Sequence, residues 1–83
     1  MEKTYKYIRF QEIENKSKTK VWSCLNNNSV TKLGEVRWYS PWRRYCYFPS
    51  MQIECIYSND CLNDISDFLN QVNEAHKQLR IVP

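Results

Sequence analysis

Between Arg37 and Pro49 the stretch RWYSPWRRYCYFP gathers six aromatic side chains, three arginines and two prolines into thirteen positions of an 83-residue chain with one glycine. Guanidinium groups beside flat rings suit non-covalent recognition. Arginine offers a planar fork of donors to carboxylate or phosphate, and stacking on an aromatic ring is worth about 1–3 kcal/mol per base. Trp, Tyr and Arg also dominate protein–protein hot spots. Strand alternation about a Ser40-Pro41 turn divides the stretch in two. Arg37, Tyr39, Arg43, Tyr45 and Tyr47 form the set expected to bind a partner; Trp38, Trp42, Cys46 and Phe48 form the set expected in the core. Plain cross-strand packing accounts for the same residues without any partner. Arg44 is the awkward member, since its parity is that of the core set. Either a bulge near the turn shifts the register or Arg44 reaches out from the sheet edge, and it is counted with the partner-binding residues.

Other chemistry is poorly served. Asp60, Asp64 and Asp67 fall at i, i+4 and i+7 on a helix, a carboxylate ridge that could attract Mg²⁺ or move protons. A solvated acidic face near a helix N-terminus explains the ridge as well. His76 is the only histidine and continues an apolar stripe, so packing is its expected role. No G-x-S-x-G, no Gly-rich phosphate loop and no second histidine is present, and a non-enzymatic protein without catalytic residues or cofactor is expected. Cys24, Cys46, Cys55 and Cys61 include no C-x-x-C pair, which argues against zinc. His76 would stand roughly 22 Å from Cys61 if both lay on one helix. Reduced, buried thiols are the expectation, with no metal.

The elements that must position these residues follow from periodicity. Strands are expected at about 4–12 (Ile8 and Phe10 on one face, Tyr5 and Tyr7 on the other), 19–25, 32–39, 42–48 and 51–57. Asn26-Asn27-Asn28-Ser29 is a turn composition. From Asn59 the period changes. Cys61, Leu62, Ile65, Phe68, Leu69, Val72, Ala75, His76 and Leu79 draw an apolar stripe along a helix at about 59–79. Ser58 or Asn59 can cap its start, and Lys77 and Arg80 complement its end, with Ile81, Val82 and Pro83 beyond it and folded back on the sheet. The fold class is therefore α+β: one domain over residues 1–83, a four- to five-stranded antiparallel meander with one C-terminal helix on one face. A single helix covers a single face, which leaves the other for solvent or a partner.

Charge is divided along the chain. Residues 1–44 carry ten Lys and Arg against four acids, net +6, whereas residues 45–83 are net −3. This favours an acidic partner for the first half. No apolar run approaches the roughly 20 residues that span a bilayer, and the polar start lacks a signal-peptide core, so no membrane association and a cytoplasmic location are expected.

Gly34-Glu35-Val36-Arg37-Trp38-Tyr39, Pro41-Trp42-Arg43, Tyr45-Cys46-Tyr47-Phe48-Pro49 and Cys61-Leu62-Asn63-Asp64-Ile65 with Phe68-Leu69 resemble a family of small uncharacterised proteins from phages and mobile elements. Its pattern is G-x-[IV]-[KR]-W-Y-x-x-W-R-x-Y-x-[FY]-x-P followed by C-L-x-D-I-x-x-F. The resemblance spans roughly Thr19 to Glu74 and implies a domain type and a viral or mobile-element origin, but no reaction. Taken with the residues, it leads to the expectation of a phage-encoded binding module that engages a host protein in the host cytoplasm and inhibits a defence protein. Two alternatives stand beside it. One is a nucleic-acid-binding module with salt-dependent affinity. The other is a protein that sequesters a small nucleotide signal, in a pocket shared between subunits of a homo-oligomer because so small a domain has little room of its own.

Overall fold

Five antiparallel strands, β1 (Lys3–Thr4), β2 (Ile8–Asn15), β3 (Lys20–Asn26), β4 (Lys32–Tyr39) and β5 (Arg44–Pro49), lie in the order β1-β2-β3-β4-β5. A C-terminal helix, α1 (Asn59–Ile81), packs across one face, giving the expected α+β meander. The computed structural model describes the backbone of residues 1–16 and 18–81 and the side chains among them as far as Leu79. The expected role of Arg80 and the positions of Val82 and Pro83 lie outside the described residues; Ile81, expected beyond the helix, is its last residue.

Alternation places Ile8 and Phe10 of β2, Trp22 and Cys24 of β3, Val36 of β4 and Tyr45 of β5 on the helix side, where all are buried. From α1, Ile65, Phe68 and Val72 close the core at helical spacing. Phe68 stacks on Phe10 with ring centres 4.1 Å apart and meets Trp22 edge-on at 5.4 Å. The central strand β3 is buried on both faces. On the side away from the helix Ser23 is flanked by its register partners Gln11 and Glu35. Register shifts between Glu12 and Glu14 and between Cys24 and Leu25 break β2–β3 and β3–β4 pairing locally, the kind of irregularity that increases sheet twist.

Helix α1 starts on a Ser58 cap. The Cys61 N–H donates to Ser58 Oγ at 3.2 Å and the Leu62 N–H to the Ser58 carbonyl at 3.0 Å. The helix is about 34 Å long, against about 27 Å for an eight-residue strand, and Leu79 near its end lies beside the β2–β3 connection. Leu62, Ala75 and Leu79, expected on the buried stripe, are exposed.

Two strand expectations are corrected. The first run breaks at Tyr5-Lys6-Tyr7, where the Tyr5 N–H donates to the Ile8 carbonyl; this tight turn folds β1 back on β2. Tyr5 therefore sits on the core side, edge-on to Phe10, with its hydroxyl donating to Asp67 at 2.6 Å. Residues 51–57 form no strand. Met51 and Ile56 are exposed, and the segment carries the chain from the end of β5 to the helix layer. Its anchor is the Leu33 carbonyl, which accepts the Ser50 N–H at 2.9 Å and the Tyr57 hydroxyl at 3.1 Å. The outer edge of β5 is occupied instead by α1: Asn73 accepts the Tyr45 N–H at 2.7 Å and donates to the Tyr45 carbonyl at 3.2 Å. Among the described residues, no helix is long and apolar enough to cross a membrane.

Candidate functional site

The β4–β5 hairpin closes through four residues, because Tyr39 pairs with Arg44. Ser40, Pro41 and Trp42 make one 3₁₀ turn that proline favours early, and Arg43 ends it in the left-handed region at φ 51°, ψ 51°, its N–H on the Ser40 carbonyl at 3.1 Å. Arg43 is the only described non-glycine residue with positive φ, a conformation that costs a side chain of this kind about 1–2 kcal/mol.

Residues that face each other across an antiparallel pair share a sheet face, so an even-numbered connection fixes which return-strand residues join Trp38. Tyr45 opposes Trp38 and Tyr47 opposes Val36, all on the helix side. Tyr45, expected on the partner-binding face, is 5 % exposed, edge-on to Trp22 and Trp38. Burial first raises its phenol pKa. Tyr47 is likewise turned inward. Its hydroxyl lies 2.6 Å from that of Tyr57, and because Tyr57 gives its own proton to the Leu33 carbonyl, Tyr47 is the donor. Burial and then that hydrogen bond hold the Tyr47 phenol far above its ordinary value of 10.

The opposite face carries Arg37 and Tyr39 from β4 and Arg44, Cys46 and Phe48 from β5. The expectation of Cys46 and Phe48 in the core is corrected by the same parity, and Trp42, also expected there, is 69 % exposed on the connecting turn. Three partner-binding candidates, Arg37, Tyr39 and Arg44, share this face by register, with Arg43 at the corner; Arg43 and Arg44 also border a concavity against α1 at the hairpin end. What the sequence reading missed is Trp42 and Phe48. The signal was Arg44, whose awkward parity vanishes once the connection has an even number of residues.

These side chains make one cluster. The Arg37 guanidinium carbon lies over the Phe48 ring, 3.7 Å from its centre, and Arg37 Nε is 3.5 Å from Glu35 Oε1. Tyr39 meets Trp42 edge-on at 5.1 Å and Phe48 at 6.0 Å. Glu35 also pairs with Lys32, so the acid on this face is balanced twice while Arg43 and Arg44 remain exposed. The result is a cationic, aromatic patch of pre-oriented side chains, able to receive carboxylates and apolar groups together.

The remaining candidates are placed elsewhere. His76 packs on Trp38, ring centres 4.4 Å apart, and edge-on to Tyr45. All four cysteines are free thiols. Cys24 is buried and its pKa is pushed up to about 12 by desolvation, the condition of an unreactive thiol. Asp67 of the carboxylate ridge accepts Tyr5 and Gln71. Among the described residues no three His, Cys, Asp or Glu side chains are grouped to hold a metal ion.

No protein-family model matches the chain, and no solved structure matches it. A sequence relative does. The "Uncharacterized 9.3 kDa protein" of Acholeplasma phage L2 is 30% identical over 77 residues, which cover 92% of this chain and 96% of that protein. An alignment that spans nearly the whole of both chains places this protein in the same family as that small phage protein.

Proposed function

We propose that the protein is a non-enzymatic, phage-encoded binding module that engages an acidic surface of a host protein through the helix-free sheet face, and that this contact inhibits a host defence protein. The observation that carries the reading is the Arg37 guanidinium held over the Phe48 ring beside the exposed Trp42. Arginine and tryptophan ordered before contact lose less entropy on binding and match the residue types of hot spots. The family's phage member supports the origin, and inhibition is the role we assign to the contact. A protein partner is favoured over nucleic acid by the ring geometry. Arg37 covers a face of Phe48, and Tyr39 is engaged edge-on with both neighbours, whereas a strand of bases needs successive free ring faces.

The test is a nuclease-treated pull-down from host lysate with wild type and a Trp42→Ala/Arg37→Gln variant, followed by direct titration of the recovered protein. One host protein is expected, bound at least about 30-fold more weakly by the variant, as truncation of a hot-spot residue worth about 2 kcal/mol predicts. Equal binding by the variant rejects the reading, and recovery abolished by nuclease transfers the face to nucleic acid.

A further inference from the structure

A second concavity lies on the other side of the sheet, between the β4–β5 connection and the C-terminal half of α1, with a volume of about 800 Å³. That is within the range of sites for small organic ligands. One wall is aromatic, made by Trp38 with His76 packed against it, the two rings tilted by 41°. The other is cationic: Arg43 and Arg44 enter from the hairpin and Lys77 from the helix, opposed by the single carboxylate of Glu74. Asn70 and Gln78 add amide groups to the lining. The left-handed backbone at Arg43 belongs to this cleft. Glycine or asparagine would relieve the conformation, yet an arginine occupies it and lines the cleft with Trp38 and His76. Backbone outliers of this kind collect at ligand clamps, where the side chain's position matters more than the cost of the turn.

We propose that this cleft binds a small nucleotide, a nucleoside monophosphate. Arg43, Arg44 and Lys77 against Glu74 leave an excess of two positive charges, the ammonium of Met1, which also lines the cleft, being paired with Glu12 at 3.1 Å; that excess matches a phosphate monoester carrying about −2 at neutral pH. Arginine forks suit its oxygens, the Trp38–His76 wall suits the base, and the Asn70 and Gln78 amides suit hydrogen bonding to base edges. Arg43 and Arg44 stand at the hairpin end and border both this cleft and the partner-binding patch, so the two readings are separated by Arg37, Tyr39, Trp42 and Phe48 on the opposite face and by Trp38, His76 and Lys77 here.

Calorimetric titration of the purified protein with AMP, CMP, GMP and UMP, with inorganic phosphate, and with a short single-stranded oligonucleotide tests it. At least one monophosphate is expected to bind saturably and more tightly than phosphate. Arg43→Gly and Lys77→Ala should each weaken that binding by about tenfold or more. Arg43→Gly keeps the turn, so its thermal midpoint should be no lower than wild type; Lys77→Ala sits at an exposed helix position and guards against any unforeseen folding loss. The proposal is overturned by any of four results: no saturable monophosphate binding, phosphate binding as tightly as the nucleotides, both variants binding like wild type, or the oligonucleotide binding where no monophosphate does.

Discussion

A Cβ at position 34 would lie 2.6 Å from the Phe48 carbonyl oxygen and 2.6 Å from the Tyr47 hydroxyl, so the chain's single glycine is where Tyr47 crosses β4. The carbonyl is backbone in the β4–β5 ladder and cannot retreat. Gly34→Ala is therefore expected to destabilise the fold by about 1–3 kcal/mol in denaturant melts. Tyr47→Phe removes a donor to Tyr57 but leaves the Tyr57–Leu33 bond, and should cost about 1 kcal/mol. Titration adds a third expectation. Cys24 and Tyr57 are pushed up to about 12 from ordinary values of 9.0 and 10.0, and Tyr5, Tyr45 and Tyr47 are raised too, in each case chiefly by burial. A raised folded-state pKa means that the unfolded chain loses its proton first. Stability from these groups is complete below about pH 9 and declines as pH rises from 9 through 12. Circular-dichroism melts across that window should show the midpoint falling steadily, and a flat profile would contradict the buried hydroxyl network.

Among the elements, β5 and α1 depend on each other. The Asn73 amide takes both outward-facing backbone groups of Tyr45, in the way a neighbouring strand would, and Pro49 at the far end has no N–H to offer. Asn73→Leu uncovers that edge. It is expected to raise self-association over wild type, seen as a larger mass by light scattering, and an unchanged mass would show that the edge needs no guard. The α1–sheet contact itself is tested by Phe68→Ala, which empties the site stacked on Phe10 and should cost about 3–5 kcal/mol in denaturant melts. These elements were legible in the sequence to different degrees. Ile65, Phe68 and Val72 share one helical face at a spacing no strand reproduces, and Ile8 and Phe10 alternate with polar neighbours, so both could be read locally. Residues 51–57 alternate as well but have no edge to join, because a helix side chain 28 positions beyond Tyr45 holds its outward groups and the segment must cross between layers. Nothing local encodes that.

Across the whole molecule the two faces of the sheet have different work. One is sealed by α1, and the other presents the Arg37–Phe48–Tyr39–Trp42 cluster. The candidate site was half legible: its residue types were plain, and the even number of residues between the expected strands 32–39 and 42–48 already puts Tyr45 and Tyr47, rather than Cys46 and Phe48, on the face of Trp38, because facing residues and not equal parities share a face. That number also governs how the gene can change. Because side chains on a strand alternate, loss or gain of one residue within 40–43 would bring Arg44, Cys46 and Phe48 beneath the helix and expel Tyr45 and Tyr47, a single-codon event that scrambles core and surface together. Loss or gain of two keeps every side chain on its own face. Length variation in this hairpin should therefore be inherited in pairs of codons, with odd counts purged from the lineage, and a deletion series through residues 40–43 scored for soluble expression would display the alternation directly.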